Sequence, residues 1–254
     1  MSRQARWYTL LGLVFFIVLE ALLAAAIVWW PSFAENVKTL KTMAAPLPWL
    51  REQIELMEST GVSGYVVGQH YFKACNTLGA AAAVLFAINA VAGEAHRGTL
   101  EIWMGRPVSR TRITTERYVG GLLAIVVPVF LSSATIPALL ATVDATMTYG
   151  ELALCSIHSS LFLACIYTTT FLWSAMDSQP LKIAVGMLFF SVFQFSIYVV
   201  KTITHYSLFR IVDLEQFIRI TIDDELKVWI ELGMVGYCAA VYAGALWVVH
   251  RRVP

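Results

Sequence analysis

The residues best suited to chemistry are charged ones gathered in a single stretch, Glu94 to Tyr118, which reads E-A-H-R-G-T-L-E-I-W-M-G-R-P-V-S-R-T-R-I-T-T-E-R-Y. It holds five of the chain's eighteen basic residues: Arg97, Arg106, Arg110, Arg112 and Arg117. Guanidinium groups pair bidentately with carboxylates, so the chemistry on offer is recognition of an acidic surface. The local grammar is a short helix, a stop and a restart. Gly98-Thr99 precedes Leu100-Glu101-Ile102-Trp103-Met104, Gly105 stands where a helix C-terminus favours glycine, and Pro107 prevents continuation. Ser109 is placed to cap the helix that follows. A basic helix between two apolar runs suits a docking surface; an ordinary positive loop of a membrane protein has the same composition.

Bond-making chemistry has no comparable gathering. Ser132, Ser133, His158, Ser159 and Ser160 stand in no G-x-S-x-G or H-E-x-x-H context, so no catalytic site is expected in this chain. No G-x-x-x-x-G-K-[ST] is present either, which puts any ATP and Mg on a partner and leaves this chain without a cofactor. Cys75, Cys155, Cys165 and Cys238 fall in apolar runs with no C-x-x-C, and read as small hydrophobes rather than metal ligands. Inside the apolar runs, Glu20 must be paired, neutralised or turned to a polar cavity. Glu231, near the start of the last run, can either snorkel to the interface or pair with Lys227 at i−4. His158, Asn76, Asn89 and Gln194 suit hydrogen bonds between helices.

The elements that must hold the basic stretch are membrane spans. Of 254 residues, 58% are hydrophobic and only 14% charged, and the mean hydropathy is +0.68. Soluble domains carry about a quarter charged residues, so this is a membrane protein. A net charge of +1 excludes a general role in binding polyanions such as nucleic acid. Runs long enough to cross a bilayer cover 9–30, 74–93, 119–143, 152–176, 183–200 and 228–249. Trp7, Tyr8, Trp29, Trp30, Tyr71, Phe72, Tyr118, Trp229 and Trp247 mark their ends as an interfacial belt. The first run ends in Trp29-Trp30-Pro31 and reads as a retained span rather than a cleaved signal.

Charge density orients the bundle. The segments 1–6, 94–118, 177–182 and 250–254 hold ten Lys/Arg in 42 residues. The opposite segments hold eight in 78 residues, together with eleven carboxylates. The denser basic set belongs in the cytoplasm, so both termini are expected there. The outer segments are expected to be helical: 33–60 as two stretches split by Pro46 and Pro48, the second ended by Gly61, and 208–222 as an amphipathic helix. That helix either lies at the outer interface, over the end of a pathway, or simply caps the bundle. Pro128 and Pro137 should bend the third span. The expected fold is thus all-α and integral to the membrane, with six spans and one transmembrane domain over 1–254.

The sequence resembles the membrane subunits of type-2 ABC exporters along nearly its whole length. The resemblance is strongest at Glu94-x-x-x-Gly98-Thr99-Leu100-Glu101, then Pro107-Val108-Ser109-Arg110 and Glu116-Arg117. Pro31-Ser32, Leu47-Pro48 and Gly64-Tyr65 add to it. It implies a multi-pass permease of the cell membrane that works with a second permease subunit and two separate ATP-binding subunits. It also implies that the stretch between spans two and three is a coupling helix resting in a cleft of the ATPase. Mapped here, Glu94, Gly98, Thr99, Glu101, Pro107 and Arg110 would shape that contact, with Trp103 and Met104 as an apolar plug. The chain departs from the family pattern in having only Met1 to Arg6 ahead of the first span, and in opening the third span with Arg117 rather than lysine. The function so implied is ATP-driven export of a hydrophobic or amphipathic substrate. The alternative is a permease-like subunit that moves nothing and passes ATPase force to another envelope protein or acts as a sensor. A secondary transporter built around Glu20 is a third reading.

Overall fold

Nothing stops the first apolar run where a bilayer would end. In the computed structural model, which describes residues 3–100, 102, 105, 108–223 and 226–252, helix α1 runs Arg3–Met43. Its 41 residues make about 62 Å, twice the roughly 30 Å of a hydrocarbon core. Pro31 lies inside α1 and removes one donor without ending it. A turn around Pro46 leads into α2, Pro48–Val67, with Pro48 in the first turn, where a missing N–H costs nothing. The two helical stretches separated by Pro46 and Pro48 are therefore present, but the first continues α1. Gly61, at φ +67°, breaks α2 without ending it. The end of α1 and the start of α2 share a small apolar cluster of Val37, Ala44 and Ile54.

The second span begins well before residue 74. A π-helix, Gly68–Leu78, joins α2 to α3, Gly79–Ile88. Val66, Val67, His70 and Tyr71 are buried by protein rather than lipid, so average hydropathy gives little sign of them. The span also stops at Ile88 rather than 93. At the break, the Ser174 hydroxyl accepts from the Val91 and Ala92 N–H groups at 3.2 and 2.9 Å. A single turn, α4, Ala92–His96, follows.

Helix α5, Arg110–Leu140, starts nine residues before the expected 119 because Ser109 caps it, its hydroxyl accepting from the Arg112 N–H at 3.3 Å. Pro128 leaves the Ala124 carbonyl without its helical donor. Gly12 of α1 presses on that carbonyl, which lies 3.2 Å from where a Cβ on Gly12 would stand. Helices α6, Tyr149–Met176, and α7, Pro180–Val199, follow. Two 3₁₀ turns then lead to α8, Leu214–Asp223, and the chain closes with α9, Val228–Arg251. Six helical units are long and apolar enough to span a membrane, as expected, and no strand occurs among the described residues.

Helix α6 is the hub. It packs against α3, α5 and α9, and with the second span it is far more buried than α7 or α9. The sequence makes this possible by putting small polar residues inside. Ser156, Ser159, Thr168, Thr170 and Ser174 of α6 are fully buried, whereas Leu181, Val185 and Phe189 of α7 face outward. Lipid is as apolar as leucine, so close packing and interhelical hydrogen bonds hold such bundles together. On the side opposite the termini, α8 buries Leu214, Phe217, Ile218 and Ile220. The start of α2 rests on the end of α7, where Gln53 Nε2 donates to the Tyr198 hydroxyl at 3.1 Å.

Candidate functional site

The stretch from Glu94 onward leaves the bundle through a tight elbow. The Gly98 N–H donates to the Ala95 carbonyl and the Thr99 N–H to the Glu94 carbonyl, at 3.1 and 3.0 Å. These two bonds form a Schellman cap on α4, with Gly98 at the left-handed position, φ +67°. Nothing lies within 4 Å of where a Cβ on Gly98 would stand, so the glycine serves the backbone conformation and not a close approach.

Glu94 ties this elbow to the bundle. Its carboxylate accepts from the Thr99 hydroxyl and from Arg97 Nη2 at 3.0 Å. It lies 3.4 Å from Arg117 Nη1, and the same nitrogen donates to the Ala90 carbonyl at 2.7 Å. Partial burial raises the carboxyl pKa, but the Thr99 hydrogen bond and the charges of Arg117 and Arg97 outweigh it and hold the group below its ordinary 4.5. Arg117, with a side chain only 8% exposed, therefore links the end of the second span, the elbow and the third span. Its burial was not legible from a sequence that spaces it like any other loop arginine.

Beyond the elbow every described residue from 102 to 109 is exposed. Leu100 is buried, whereas Ile102 is 69% exposed on the outside of the segment. Glu101, Trp103, Met104 and Pro107 lie outside the described residues. Arg110 turns inward: Nη1 donates to the carbonyls of His250 and Arg252 at 3.1 and 2.9 Å and lies 3.5 Å from that of Val249. It thus satisfies orphan carbonyls at the end of α9. Arg252 does the same for the end of α6, donating to the Ala175 carbonyl at 2.9 Å. The chain's two ends meet this face together, since Tyr8 packs against Gly120 while Arg252 meets Arg110. The basic stretch is consequently bonded, through Glu94, Arg110 and Ser109, to the ends of the second, third and sixth spans, and Arg252 and Ser174 extend the collar to the fourth.

The intramembrane polar residues find partners between helices. Glu20 accepts from the Thr135 hydroxyl at 2.9 and 3.2 Å, joining α1 to α5. Glu231 does not use Lys227 in the way the i−4 spacing suggested. Its Oε1 lies 2.6 Å from His158 Nδ1, across 73 residues of sequence. His158 Nε2 faces the Ile211 carbonyl at 2.8 Å. A carbonyl only accepts, so Nε2 is the donor of this bond. The pair joins α6 to α9 and ties both to the cap at Ile211, on the side opposite the termini. His70 of the π-helix, singled out by nothing in the sequence, is 1% exposed with Nε2 3.3 Å from the Ser132 hydroxyl. No group of three or more His, Cys, Asp or Glu among the described residues is placed to hold a metal ion.

A family model described as ABC-2 family transporter protein matches residues 1–222 of this chain. No curated protein and no solved structure matches it.

Proposed function

The chain belongs to the ABC-2 family of transporter proteins, and from that premise we propose that it is the membrane subunit of an ATP-driven exporter worked through residues 94–110. Membership implies partnership with ATP-binding cassette subunits. In this reading two such subunits sit in the cytoplasm with both termini of this chain, one docks on the basic stretch, and a second permease subunit completes the pathway. The supporting observation is the pairing of an outward Ile102, 69% exposed, with a base held to the bundle by Glu94, Arg117 and Arg110. An exposed isoleucine beside arginines suits an interface that has an apolar anchor and charged surroundings. The bonded base gives a push on the segment a direct route to the ends of four spans.

Arg110 enters this account in a second capacity. Its guanidinium already holds the end of α9, so it transmits motion within the chain, and the contact with the ATPase falls to Ile102, Glu101, Trp103 and Met104. Hydrophobic or amphipathic substrates suit the bundle best, because most of its internal polar groups are engaged between helices. The test is reconstitution with the ATPase and the second permease in vesicles, comparing native chain with Ile102→Asp. Export predicts ATP-dependent movement of an amphipathic probe that the variant loses while remaining folded. ATP turnover that moves no probe would replace export with force transmission to another envelope protein.

A further inference from the structure

Helices α7 and α9 both pack on α6 and make few contacts with each other. Between them runs a groove formed by two cavities of 460 and 440 Å³ that share Thr169, Met187 and Phe190. The floor is α6; α7 walls the whole length, and α9 walls only the half that ends under Leu208 and Phe209. One end lies at Asp177 and Lys182, on the side of the termini, and the other under Leu208 and Phe209 of the outer cap. The far end is blocked, because Gln194 Oε1 accepts from the Leu208 N–H at 3.0 Å and the Ser207 hydroxyl donates to the Gln194 carbonyl. From Lys182 to Gln194 the groove follows α7 for about 18 Å, a little more than the roughly 15 Å of one leaflet's hydrocarbon.

We propose that this groove binds one acyl chain of a zwitterionic phospholipid, drawn from the leaflet on the side of the termini, with the headgroup at Lys182 and Asp177. The proposal is independent of the export reading. Three features carry it. First, the groove opens between two spans of a membrane protein, where its neighbours are acyl chains. Secondly, its hydroxyls are already bonded: that of Ser191 donates to the Met187 carbonyl at 2.9 Å, and that of Thr169 lies 2.7 Å from the Cys165 carbonyl and 2.8 Å from the Tyr237 hydroxyl. A polar ligand would find few partners there, and a hydrocarbon chain needs none. Thirdly, the groove's lining carries one charge of each sign at the mouth, Lys182 Nζ lying 3.0 Å from Asp177 Oδ2, while the nearby Arg252 is committed to the Ala175 carbonyl at 2.9 Å. A headgroup with one phosphate and one ammonium can meet both, whereas a purely anionic one leaves Asp177 opposed. The Lys182 hydrogen bond holds the Asp177 carboxyl below its ordinary range, so Asp177 is ionised at neutral pH.

Glycines on the facing walls allow a clean test. Gly186 and Gly233 line the groove, and nothing lies within 4 Å of where a Cβ on either would stand. Leucine there fills the space without striking the backbone. Gly236 has the same freedom but lies outside the groove, and Gly236→Leu is the matched control. Delipidated full-length protein is titrated with phosphatidylethanolamine and retained lipid is counted by native mass spectrometry. The expectation is one retained lipid on native protein and Gly236→Leu, and at least ten-fold lower occupancy on Gly186→Leu/Gly233→Leu at an unchanged unfolding temperature. Lys182→Ala should weaken retention several-fold without filling anything, and it keeps the test decisive if the double variant does not fold. Equal retention by the filled variant, equal loss by Gly236→Leu, unchanged retention by Lys182→Ala, or preferential retention of phosphatidylglycerol would each overturn the proposal.

Discussion

Replacing Glu94 with glutamine tests whether the elbow is held by charge. Glutamine keeps an acceptor for the Thr99 hydroxyl but removes the countercharge 3.4 Å from the nearly buried Arg117. A charge-assisted hydrogen bond contributes about 1.5–3 kcal/mol, and breaking a fully buried pair costs about 3–5 kcal/mol. The Glu94 side chain is 20% exposed, so solvent screens part of the loss and about 2 kcal/mol is the reasonable figure. That is roughly a thirty-fold change in the equilibrium for opening the elbow, at about 1.4 kcal/mol per factor of ten. The affected amides are those of Gly98 and Thr99, bonded to the carbonyls of Ala95 and Glu94. Hydrogen exchange should therefore accelerate about thirty-fold at these amides in Glu94→Gln, while the amides of α6 stay protected. The sign of the pH dependence follows from the depressed carboxyl pKa. The tie is present above the ordinary value of 4.5 and is lost as pH falls through the lower folded value. Native protein should show the same loosening in acid, after correction for intrinsic exchange, and the variant should not. Unchanged exchange at Thr99 in the variant would refute this account of the elbow.

Four further outcomes follow from the same geometry. Gly98→Ala, which puts a side chain on a residue at φ +67°, should cost about 1–2 kcal/mol of local stability, read as faster exchange at Thr99, with Gly98→Asn costing less. Arg110→Ala should free the last turn of α9 and raise proteolytic clipping after Val249, and lysine should rescue only partly because it lacks the fork that reaches several carbonyls. Gly12→Leu should cost about 1–3 kcal/mol by driving α1 off the Ala124 carbonyl, measured as lower thermal stability in detergent. Glu231→Leu alone should destabilise by about 3–5 kcal/mol, whereas Glu231→Leu with His158→Leu should recover much of it; additive losses would show that the two do not act as a pair.

The six spans were legible because lipid-facing helices must be apolar throughout, and α7 and α9, the two most exposed to lipid, matched their expected limits to within three residues. The second and third spans were misplaced at their starts for a physical reason. Their first turns are buried by protein, where His70, Asn76, Thr114 and Arg117 are admissible, and a hydropathy profile reads these as the end of a span. The Ser109 cap was readable; Gly98, which the sequence placed ahead of a short helix, instead ends α4 in the left-handed conformation. Long-range pairing was not readable. Lys227 lies four residues from Glu231 and His158 seventy-three away, and only packing of α6 on α9 decides between them. The role of Arg110 was likewise hidden, because its partners are backbone carbonyls 139 to 142 residues on, which carry no side-chain signature.

The central claim is that an ATP-binding cassette subunit docks on the stretch after the elbow. The most direct measurement places a photo-crosslinking residue at Ile102, with Met43, at the opposite end of α1 and 72% exposed, as the control. The complex is then illuminated in native membranes. The account predicts a crosslink from position 102 to the ATP-binding cassette subunit and none from position 43. Absence of that crosslink from 102 in an intact complex, or an equal one from 43, would contradict it.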